Sequence, residues 1–395
     1  MIPLGSLAWA KQIDLLPSGT AFFSRLCSML QQARKSIHLQ FYIFSDDEIG
    51  HTIVQILQAK AAEQVSVSVL IDGFGSSYMR RNTIRQLRRA GVRVSKYGSF
   101  SPSPVGYFAR RMHQKMVVVD AKEALIGGLN IDDKYNDGVD HPAWLDFAVY
   151  LKSDHLPFLE QLCLHWWYDP SGKSIRKLIS ELSDATAGKG IPYSVCINDW
   201  INRQTAITDT YRHLFLHAQQ SILLVGSYFI PGRKMREYIS RAADRNLSIR
   251  IIIAGRSDVW IAKSAERWLY DWLLRKNVQI YELQSNILHG KLAICDLDWM
   301  TIGSYNMNNI SAYASVEVNI NIYDRKFVDH VRQSLENILT EKCLLITPDL
   351  HQKNKTALIQ FVRWLSYQIY QLLFFLFTFY FRRLDERPNI RRKYR

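Results

Sequence analysis

The hydrophobic pattern along the chain changes from helical to strand periodicity several times, and it does so twice in the same order. A polar stretch containing Ala runs into apolar, β-branched and aromatic residues at 33–44, and again at 218–229. The same change follows at 61–72 and at 242–253. Because buried residues recur three or four apart in helices and alternate in strands, each change predicts a helix that leads into a β-strand.

Each repeat continues with a helix and a short strand, at 85–97 and at 265–281, and ends in a further apolar strand, at 115–119 and at 291–295. Strands that alternate with helices are typical of the α/β fold class. We therefore predict two α/β/α sandwich domains related by a pseudo-twofold axis. Since such symmetry brings equivalent loops to one interface, we expect the active site between the domains.

The predicted linker is the stretch 171–193, where glycines and a proline interrupt the apolar periodicity. We expect the first domain to cover residues 1–190 and the second to cover residues 191–349. A C-terminal segment of different composition follows at 350–395.

This C-terminal segment contains eighteen consecutive uncharged residues at 364–381, followed by seven Lys or Arg and two acids up to the end of the chain. Eighteen is the lower limit for a membrane span, and Ser366, Gln368 and Gln371 weaken that interpretation. We therefore predict a helix that lies in the membrane interface, with the basic tail against anionic lipid on the cytoplasmic side. A helix packed on the protein's own core and a true span are the alternatives.

The chain carries two copies of one motif, in which His and Lys are separated by one residue, an Asp comes five residues after the Lys, and an Asn follows in a small-residue turn. The members of the two copies are His113, Lys115, Asp120 and Asn130, and His289, Lys291, Asp296 and Asn306. In an extended strand, side chains at i and i+2 point to the same face, so each His and Lys can contact one ligand.

Two half-sites of this kind fit phosphodiester chemistry without a metal. A neutral imidazole attacks phosphorus, and a protonated imidazole donates to the departing alkoxide. The two lysines and the two asparagines are expected to hold the non-bridging phosphate oxygens and to stabilise the charge of the transition state. The two motif aspartates fall at the end of the strand, where capping of the turn is favoured over direct catalysis.

Two further acids have matching positions. Asp146 and Glu317 each lie within an apolar alternating strand that follows one of the Asn turns. A carboxylate in such a strand is costly unless it has a partner, and a nucleophilic imidazole needs an acceptor at its other nitrogen. We expect these acids to orient the histidines, and a structural salt bridge is the alternative.

The chain has 50 basic and 36 acidic residues, a formal net charge of +14, which indicates a polyanionic partner such as nucleic acid, an anionic membrane or a phosphorylated substrate. Nine Lys or Arg and no acid occur at 80–111. This run is either a solvated helix face or a positively charged surface, here called the basic ramp, that attracts anionic lipid headgroups toward the cleft. Five widely spaced cysteines form neither a disulfide framework nor a CxxC metal site.

At these residues the chain resembles the phospholipase D superfamily, whose signature is HxKxxxxD followed by GGxN or GSxN. The stretches 40–47, 72–76 and 110–115 resemble bacterial cardiolipin synthases, and the resemblance covers roughly residues 15–345. It implies that the motif His, Lys and Asp residues are catalytic and that a phosphatidyl group is transferred through a phosphohistidine, with no metal or other cofactor. Phosphatidylglycerol is the implied donor, and phosphatidylglycerol or phosphatidylethanolamine the implied acceptor.

The resemblance also favours His113 as nucleophile and His289 as general acid and base. The chain differs from the longer synthases because two N-terminal transmembrane helices are missing, which favours the shorter subtype. The expected location is the cytoplasmic face of the bacterial inner membrane, with attachment through the C-terminal segment. A hydrolase or nuclease of the same superfamily and an inactive scaffold are the alternatives, although the apolar C-terminal segment argues against nucleic acid as partner.

Overall fold

The computed structural model describes residues 6–98, 110–138, 142–181, 189–353 and 355–385. The elements that precede residue 190 are, in chain order, β1 (Ser6–Ala10), β2 (Gln12–Pro17), α1 (Thr20–Gln32), β3 (Ser36–Phe41), α2 (Glu48–Ala62), β4 (Ser66–Asp72), α3 (Arg81–Arg89), β5 (Arg93–Tyr97), β6 (Arg111–Met112), β7 (Met116–Val119), β8 (Glu123–Gly127), β9 (Phe147–Lys152), α4 (Pro157–Tyr168) and α5 (Ile175–Glu181).

The elements that follow are β10 (Ile191–Asp199), β11 (Gln204–Thr205), α6 (Ala206–His217), β12 (Ser221–Gly226), α7 (Arg233–Ala243), β13 (Ser248–Ala254), α8 (Trp260–Trp268), α9 (Tyr270–Arg275), β14 (Gln279–Leu283), β15 (Lys291–Cys295), β16 (Trp299–Gly303), α10 (Asn309–Tyr313), β17 (Ser315–Ile322), α11 (Arg325–Lys342), β18 (Cys343–Leu345), α12 (Pro348–Lys353) and α13 (Ala357–Asp385).

The described strands form two sheets that repeat one topology. The first sheet has the order β2-β9-β8-β7-β3-β4-β5, and the second contains the corresponding order β10-β17-β16-β15-β12-β13-β14. In each sheet the last three strands are parallel, and the other neighbours in these orders are antiparallel. The predicted fold class, two related α/β/α halves, is therefore confirmed.

The chain does not divide cleanly into two halves, because the first half supplies strands to the second sheet. Strand β1 pairs with β10, and β6 pairs with the start of β17, so two short strands of the first half extend the second sheet. The expected boundary at residue 190 therefore separates β1 from the sheet to which it belongs. Helix α5 occupies part of the stretch expected as a linker.

The apolar cores explain why the two sheets pack against each other. One cluster of buried residues is shared between the sheets and includes Val118 and Val149 from the first half and Ile302 and Val318 from the second. Two other clusters lie under the outer helices, one with α1, α2 and α3 and the other with α6, α7 and α9. Because burial of apolar surface is the main favourable term in folding, the shared core holds the halves face to face.

The C-terminal helix α13 packs on the second half. Its Tyr367 and Tyr370 join a buried cluster with Ile230, Ala265 and Leu269. This contact corresponds to the alternative in which the segment packs on the protein's own core. In the part of the chain that the structure describes, no helix combines the length and apolar character needed to cross a bilayer. Most of the predicted basic tail lies at 386–395, outside the described residues.

Candidate active site

The two motif histidines line one cleft between the halves, with a cavity of about 250 Å³. The two motif asparagines also contribute to its wall. The lining residues of the first half are Tyr42, Ile43, His113, Asn130, Asp132, Lys134, Tyr135 and Trp144, and those of the second half are Tyr228, Asp258, His289 and Asn306. The cleft therefore joins both copies of the motif in one site.

Each histidine lies just before its motif strand, on a segment that hydrogen-bonds to the other half. The His113 amide donates to the carbonyl of Val316 at 2.9 Å, and the His289 amide donates to the carbonyl of Leu145 at 2.7 Å. As expected from the predicted strands, each histidine precedes its motif strand, since β7 begins at Met116 and β15 at Lys291. Backbone pairing across the interface is what holds each ring over the cleft.

The carboxylates are paired with the histidines across the interface. Nδ1 of His113 lies 2.9 Å from Oε2 of Glu317, and Nδ1 of His289 lies 2.6 Å from Oδ2 of Asp146. Both carboxylates are fully buried. An ionised carboxylate accepts only, so the proton of each neutral imidazole stays on Nδ1 and leaves Nε2 for chemistry.

Both imidazoles are in environments that favour the neutral form. Burial, and to a smaller extent the neighbouring Lys291, lower the pKa of His289 to about 4 against the opposing effect of Asp146. Burial also lowers the pKa of His113, and the Glu317 carboxylate opposes that shift. Near neutral pH both rings are therefore uncharged, which is the form that a nucleophile or a general base requires.

The two motif lysines are buried beside the histidines. Lys115 donates to the backbone carbonyl of His113, and Nζ of Lys291 lies 2.8 Å from Nδ1 of His289. Burial lowers the pKa of Lys115 to about 7 and that of Lys291 to about 8. A phosphodiester that enters the cleft adds negative charge next to both ammonium groups, which raises both pKa values and strengthens binding.

The two motif asparagines are held by hydrogen bonds on either side of the cleft. Oδ1 of Asn130 accepts from the Ile43 amide at 3.1 Å, and its Nδ2 donates to the Tyr135 hydroxyl at 3.0 Å. Oδ1 of Asn306 accepts from the Ser227 hydroxyl at 2.8 Å. Each amide oxygen thus already accepts a hydrogen bond. The amide N–H groups, which donate, are the part of each side chain that suits a phosphate oxygen.

The two motif aspartates do not line the cleft. The Asp120 carboxylate accepts from the amides of 34–36 at 2.7–2.8 Å, and that of Asp296 accepts from the amides of 219–221 at 2.8–3.0 Å. Both residues adopt left-handed backbone conformations, with φ of 54° and 52°. The carboxylates tie each motif strand to the turn before its neighbour, which fits the capping role favoured from the sequence rather than the catalytic role that the resemblance implies.

Replacing Asp120 with alanine is expected to lower the free energy of unfolding by about 1–3 kcal/mol, because three backbone N–H groups lose their acceptor. Turnover per folded molecule should stay within a fewfold of the wild type. Thermal unfolding and activity at low temperature measure the two effects separately. Asp120→Asn is the matched control, since asparagine tolerates the left-handed conformation and keeps one acceptor oxygen. A large loss of activity with unchanged melting temperature would instead assign Asp120 to catalysis.

An aromatic wall of the cleft was missed by the sequence analysis. The Tyr135 hydroxyl lies 3.3 Å from Nδ1 and 3.5 Å from Nε2 of His289. The ring centroid of Trp144 is 6.2 Å from that of the same histidine. Burial raises the pKa of Tyr135 well above its ordinary value, so its hydroxyl keeps its proton. Their closeness in sequence to predicted site residues could have indicated them, since Tyr135 comes five residues after Asn130 and Trp144 two residues before Asp146.

The proposed basic ramp is corrected at its end nearest the motif. Arg110 is buried, pairs with Asp199 and donates to the carbonyl of Pro170. Arg111 lies 3.7 Å from the buried Asp72 carboxylate. These two arginines therefore connect structural elements. The arginines of α3 itself are exposed, as expected for a solvated helix face.

Within the described ranges, no three His, Cys, Asp or Glu side chains are placed to hold a metal ion. The five cysteines are free thiols. The groups that surround the cleft are imidazole, ammonium, amide, carboxylate, indole and phenol.

Comparison with known proteins identifies the family. The family model "Cardiolipin synthase, PLD-like domain" matches residues 26–141 and 211–339, so it includes both motif copies. Cardiolipin synthase B of Escherichia coli (strain K12) is 30% identical over 339 residues, which cover 84% of this chain and 81% of that protein. Cardiolipin synthase of Halalkalibacterium halodurans is 30% identical over 334 residues, which cover 82% of this chain and 65% of that protein.

A solved structure agrees in fold. The crystal structure of phosphatidylserine synthase from Haemophilus influenzae Rd KW20 aligns with a TM-score of 0.72 at 15% sequence identity, over 93% of this chain and 95% of that one. The duplicated topology is thus matched along almost the whole chain. With a family model over both halves and relatives at 30% identity, the chain belongs to the cardiolipin synthase family of phospholipase D-like proteins, and it is a phosphatidyltransferase enzyme of that family.

Proposed function

We propose that this enzyme is a cardiolipin synthase that transfers a phosphatidyl group from phosphatidylglycerol to a second phospholipid through a phosphohistidine. The observation that carries the proposal is the pair of histidines in one cleft, each hydrogen-bonded to a buried carboxylate from the opposite half. Such a site presents the Nε2 atoms of two imidazoles to a single phosphorus. That arrangement suits two successive in-line displacements.

In the first step, Nε2 of His113 attacks the phosphorus of the donor. The bond between phosphorus and the glycerol headgroup oxygen breaks, and His289 gives its proton to the departing alkoxide. The phosphate raises the pKa of His289 by adding negative charge beside the ring, which favours the protonated form that an acid requires. The buried lysines and the asparagine amides stabilise the charge on the non-bridging oxygens.

In the second step, His289 removes the proton from the acceptor hydroxyl. The hydroxyl oxygen attacks phosphorus, the P–N bond breaks, and His113 returns to its neutral form. The balanced products of two phosphatidylglycerol molecules are cardiolipin and glycerol. The expected role of phosphatidylethanolamine as acceptor does not fit this step, because phosphatidylethanolamine has an amine but no free hydroxyl. A transfer that includes it requires phosphatidylethanolamine as donor and phosphatidylglycerol as acceptor.

His113 is proposed as the nucleophile because the surroundings of the two rings differ. His289 has the Tyr135 hydroxyl 3.5 Å from its Nε2, a group that can pass or hold a proton during acid and base catalysis. Around His113 the neighbouring aromatic group is Tyr42, whose ring centroid lies 4.9 Å away. This difference in surroundings supports His113 in forming the bond to phosphorus and His289 in transferring the proton.

The proposed location is the cytoplasmic face of the bacterial inner membrane, with attachment through the C-terminal segment. A net charge of +14 favours an anionic surface. Basic residues that follow an apolar segment tend to lie on the cytoplasmic side of a membrane, and the basic residues after residue 381 have this position in the sequence.

The purified enzyme is expected to convert phosphatidylglycerol vesicles to cardiolipin and glycerol in equal amounts, with EDTA present. Lipid mass spectrometry and a glycerol assay measure the two products. Phosphatidic acid as the main product would indicate a hydrolase, and absence of turnover would overturn both functions. Glu336→Gln, which changes a carboxylate bonded to Arg250 away from the cleft, is a control for the effect of substitution itself.

A further inference from the structure

Helix α13 has an inverted distribution of polar and apolar side chains. Its four buried positions among the described side chains all carry polar atoms, and they are Arg363, Ser366, Tyr367 and Tyr370. Ten large apolar side chains between Leu358 and Leu376 are instead exposed, with values from 37% to 72%. A helix on a protein surface in water normally buries its apolar stripe. The outer face of α13 is therefore suited to an apolar medium.

The inner face of α13 supports the same conclusion. Nη1 of Arg363, Nε2 of Gln360 and the hydroxyl of Tyr370 are buried without a hydrogen-bond partner. Each such group carries a desolvation cost. The contact of α13 with the second half is therefore less stabilising than an apolar contact of the same size. Burial of the exposed apolar side chains of α13 against another surface would offset that cost.

The exposed apolar surface continues from α13 onto the second half. At the start of α8, Trp260 is 65% exposed, with exposed apolar residues on both sides at 259 and 261. On α10, Ile310 and Tyr313 are exposed, and the Tyr313 ring lies 5.5 Å from that of Phe374 on α13. We call these residues of α8 and α10, together with the exposed apolar residues of α13, the apolar face.

The apolar face adjoins the catalytic cleft. Asp258 and Asn306 line the cleft and lie two and three residues before α8 and α10, respectively. Tyr228 lines the cleft as well and packs against the cluster that contains Tyr367 and Tyr370 of α13. One layer of side chains thus separates the cleft from α13.

Exposed apolar residues elsewhere are scattered. Among the side chains that the structure describes, five other large apolar residues are exposed, and they are Phe74, Tyr78, Tyr168, Leu344 and Leu345. A contiguous apolar surface of this extent marks an interaction site, whereas single exposed residues need no explanation.

We propose that the apolar face docks on an anionic phospholipid bilayer, with α13 in the interfacial layer and the mouth of the cleft toward the headgroups. Its aliphatic side chains would reach the acyl region, and Trp260, Trp364 and Tyr313 would lie at headgroup level. The sequence after residue 381, with seven basic and two acidic residues, is complementary to anionic lipid. Resting on the proposed function, this orientation lets a phosphatidylglycerol headgroup enter the cleft while its acyl chains stay in the bilayer.

The test uses the full chain and vesicles of phosphatidylglycerol and phosphatidylcholine in equal parts. A Trp260→Glu, Leu372→Glu double variant is expected to bind these vesicles at least ~10-fold more weakly in sedimentation, because each change removes a large apolar contact and adds a like charge to the lipid. The matched control is Tyr78→Glu, Tyr168→Glu, which changes two exposed aromatic residues outside the apolar face and should bind as the wild type. Unchanged melting temperatures would show that both variants fold.

A second measurement separates docking from catalysis. With water-soluble dihexanoyl phosphatidylglycerol, the double variant should keep wild-type turnover, while its turnover on vesicles should fall with binding. If the double variant bound vesicles more weakly but neither it nor the wild type turned over either lipid, docking would be supported and the proposed function refuted. Wild-type vesicle binding by the double variant would refute docking. If light scattering then showed loss of a dimer in that variant, a second copy of the chain would be the occupant of the apolar face.

Discussion

Replacing His113 with alanine is expected to abolish phosphatidyl transfer, with a loss in turnover of about 10⁴-fold or more. The reason is that the covalent step has no second candidate at the same position, since His289 is engaged with Asp146, Lys291 and Tyr135. His289→Ala should cause a loss of similar size in steady-state transfer, because both steps need a proton to move. Steady-state rates alone therefore do not distinguish the two histidines.

A donor with a good leaving group distinguishes them. Phosphatidyl-p-nitrophenol releases a nitrophenolate, which needs no acid, so the first step should survive in His289→Ala. That variant should give a burst of one nitrophenolate per enzyme and then stall with a phosphatidyl group on His113. Denaturation at alkaline pH preserves the acid-labile P–N bond for peptide mass spectrometry. A burst in His113→Ala, with the label on His289, would reverse the assignment.

The parts of this site that the sequence predicts are those with local signals. The segment expected as a strand at 291–295 is β15 with the same limits, because its apolar run is buried on both faces. The capping geometry of Asp120 also follows from its place at a strand end. Strand and turn preferences act over a few residues, so a single sequence contains them.

The pairing of strands between the halves has no such local signal. Pairing of β1 with β10 and of β6 with β17 joins residues that are far apart in the chain. Periodicity specifies which face of a strand is buried but not which strand lies beside it. For that reason the sequence identified Asp146 and Glu317 as partners for histidines without assigning each to the histidine of the other half. Tyr135 and Trp144 were missed because they lie outside the regular strands, where no apolar pattern marks a wall of the cleft.

Replacing Glu317 with glutamine is expected to reduce transfer by about 10²–10⁴-fold with little change in the fold. Glutamine keeps the shape of the side chain, but its amide can donate to Nδ1 and thereby favour the wrong tautomer of His113. The Ser304 hydroxyl donates to the same oxygen of Glu317, Oε2, and it can turn to accept from the amide nitrogen of glutamine at that position. Glu336→Gln is the matched control for an equivalent change at a surface ion pair with Arg250.

The pH dependence of the residual activity should move in a defined direction. The Glu317 carboxylate raises the pKa of His113 against the larger lowering caused by burial. Without that carboxylate the imidazolium is less stable, so the ring protonates only at lower pH. Because the nucleophile must be neutral, the acid limb of the kcat/KM profile should shift to lower pH in Glu317→Gln. A shift to higher pH would contradict the pairing of Glu317 with His113.

The crossed pairing also predicts which variants behave alike. With the nitrophenyl donor, Glu317→Gln should lose the rapid burst as His113→Ala does, and Asp146→Asn should keep it as His289→Ala does. Pairing within each half would give the opposite pattern. If Glu317 acts only through His113, adding Glu317→Gln to His113→Ala should cost almost nothing further, whereas independent contributions would multiply. The two halves are then mutually dependent for catalysis, since each supplies the carboxylate that makes the other's histidine competent.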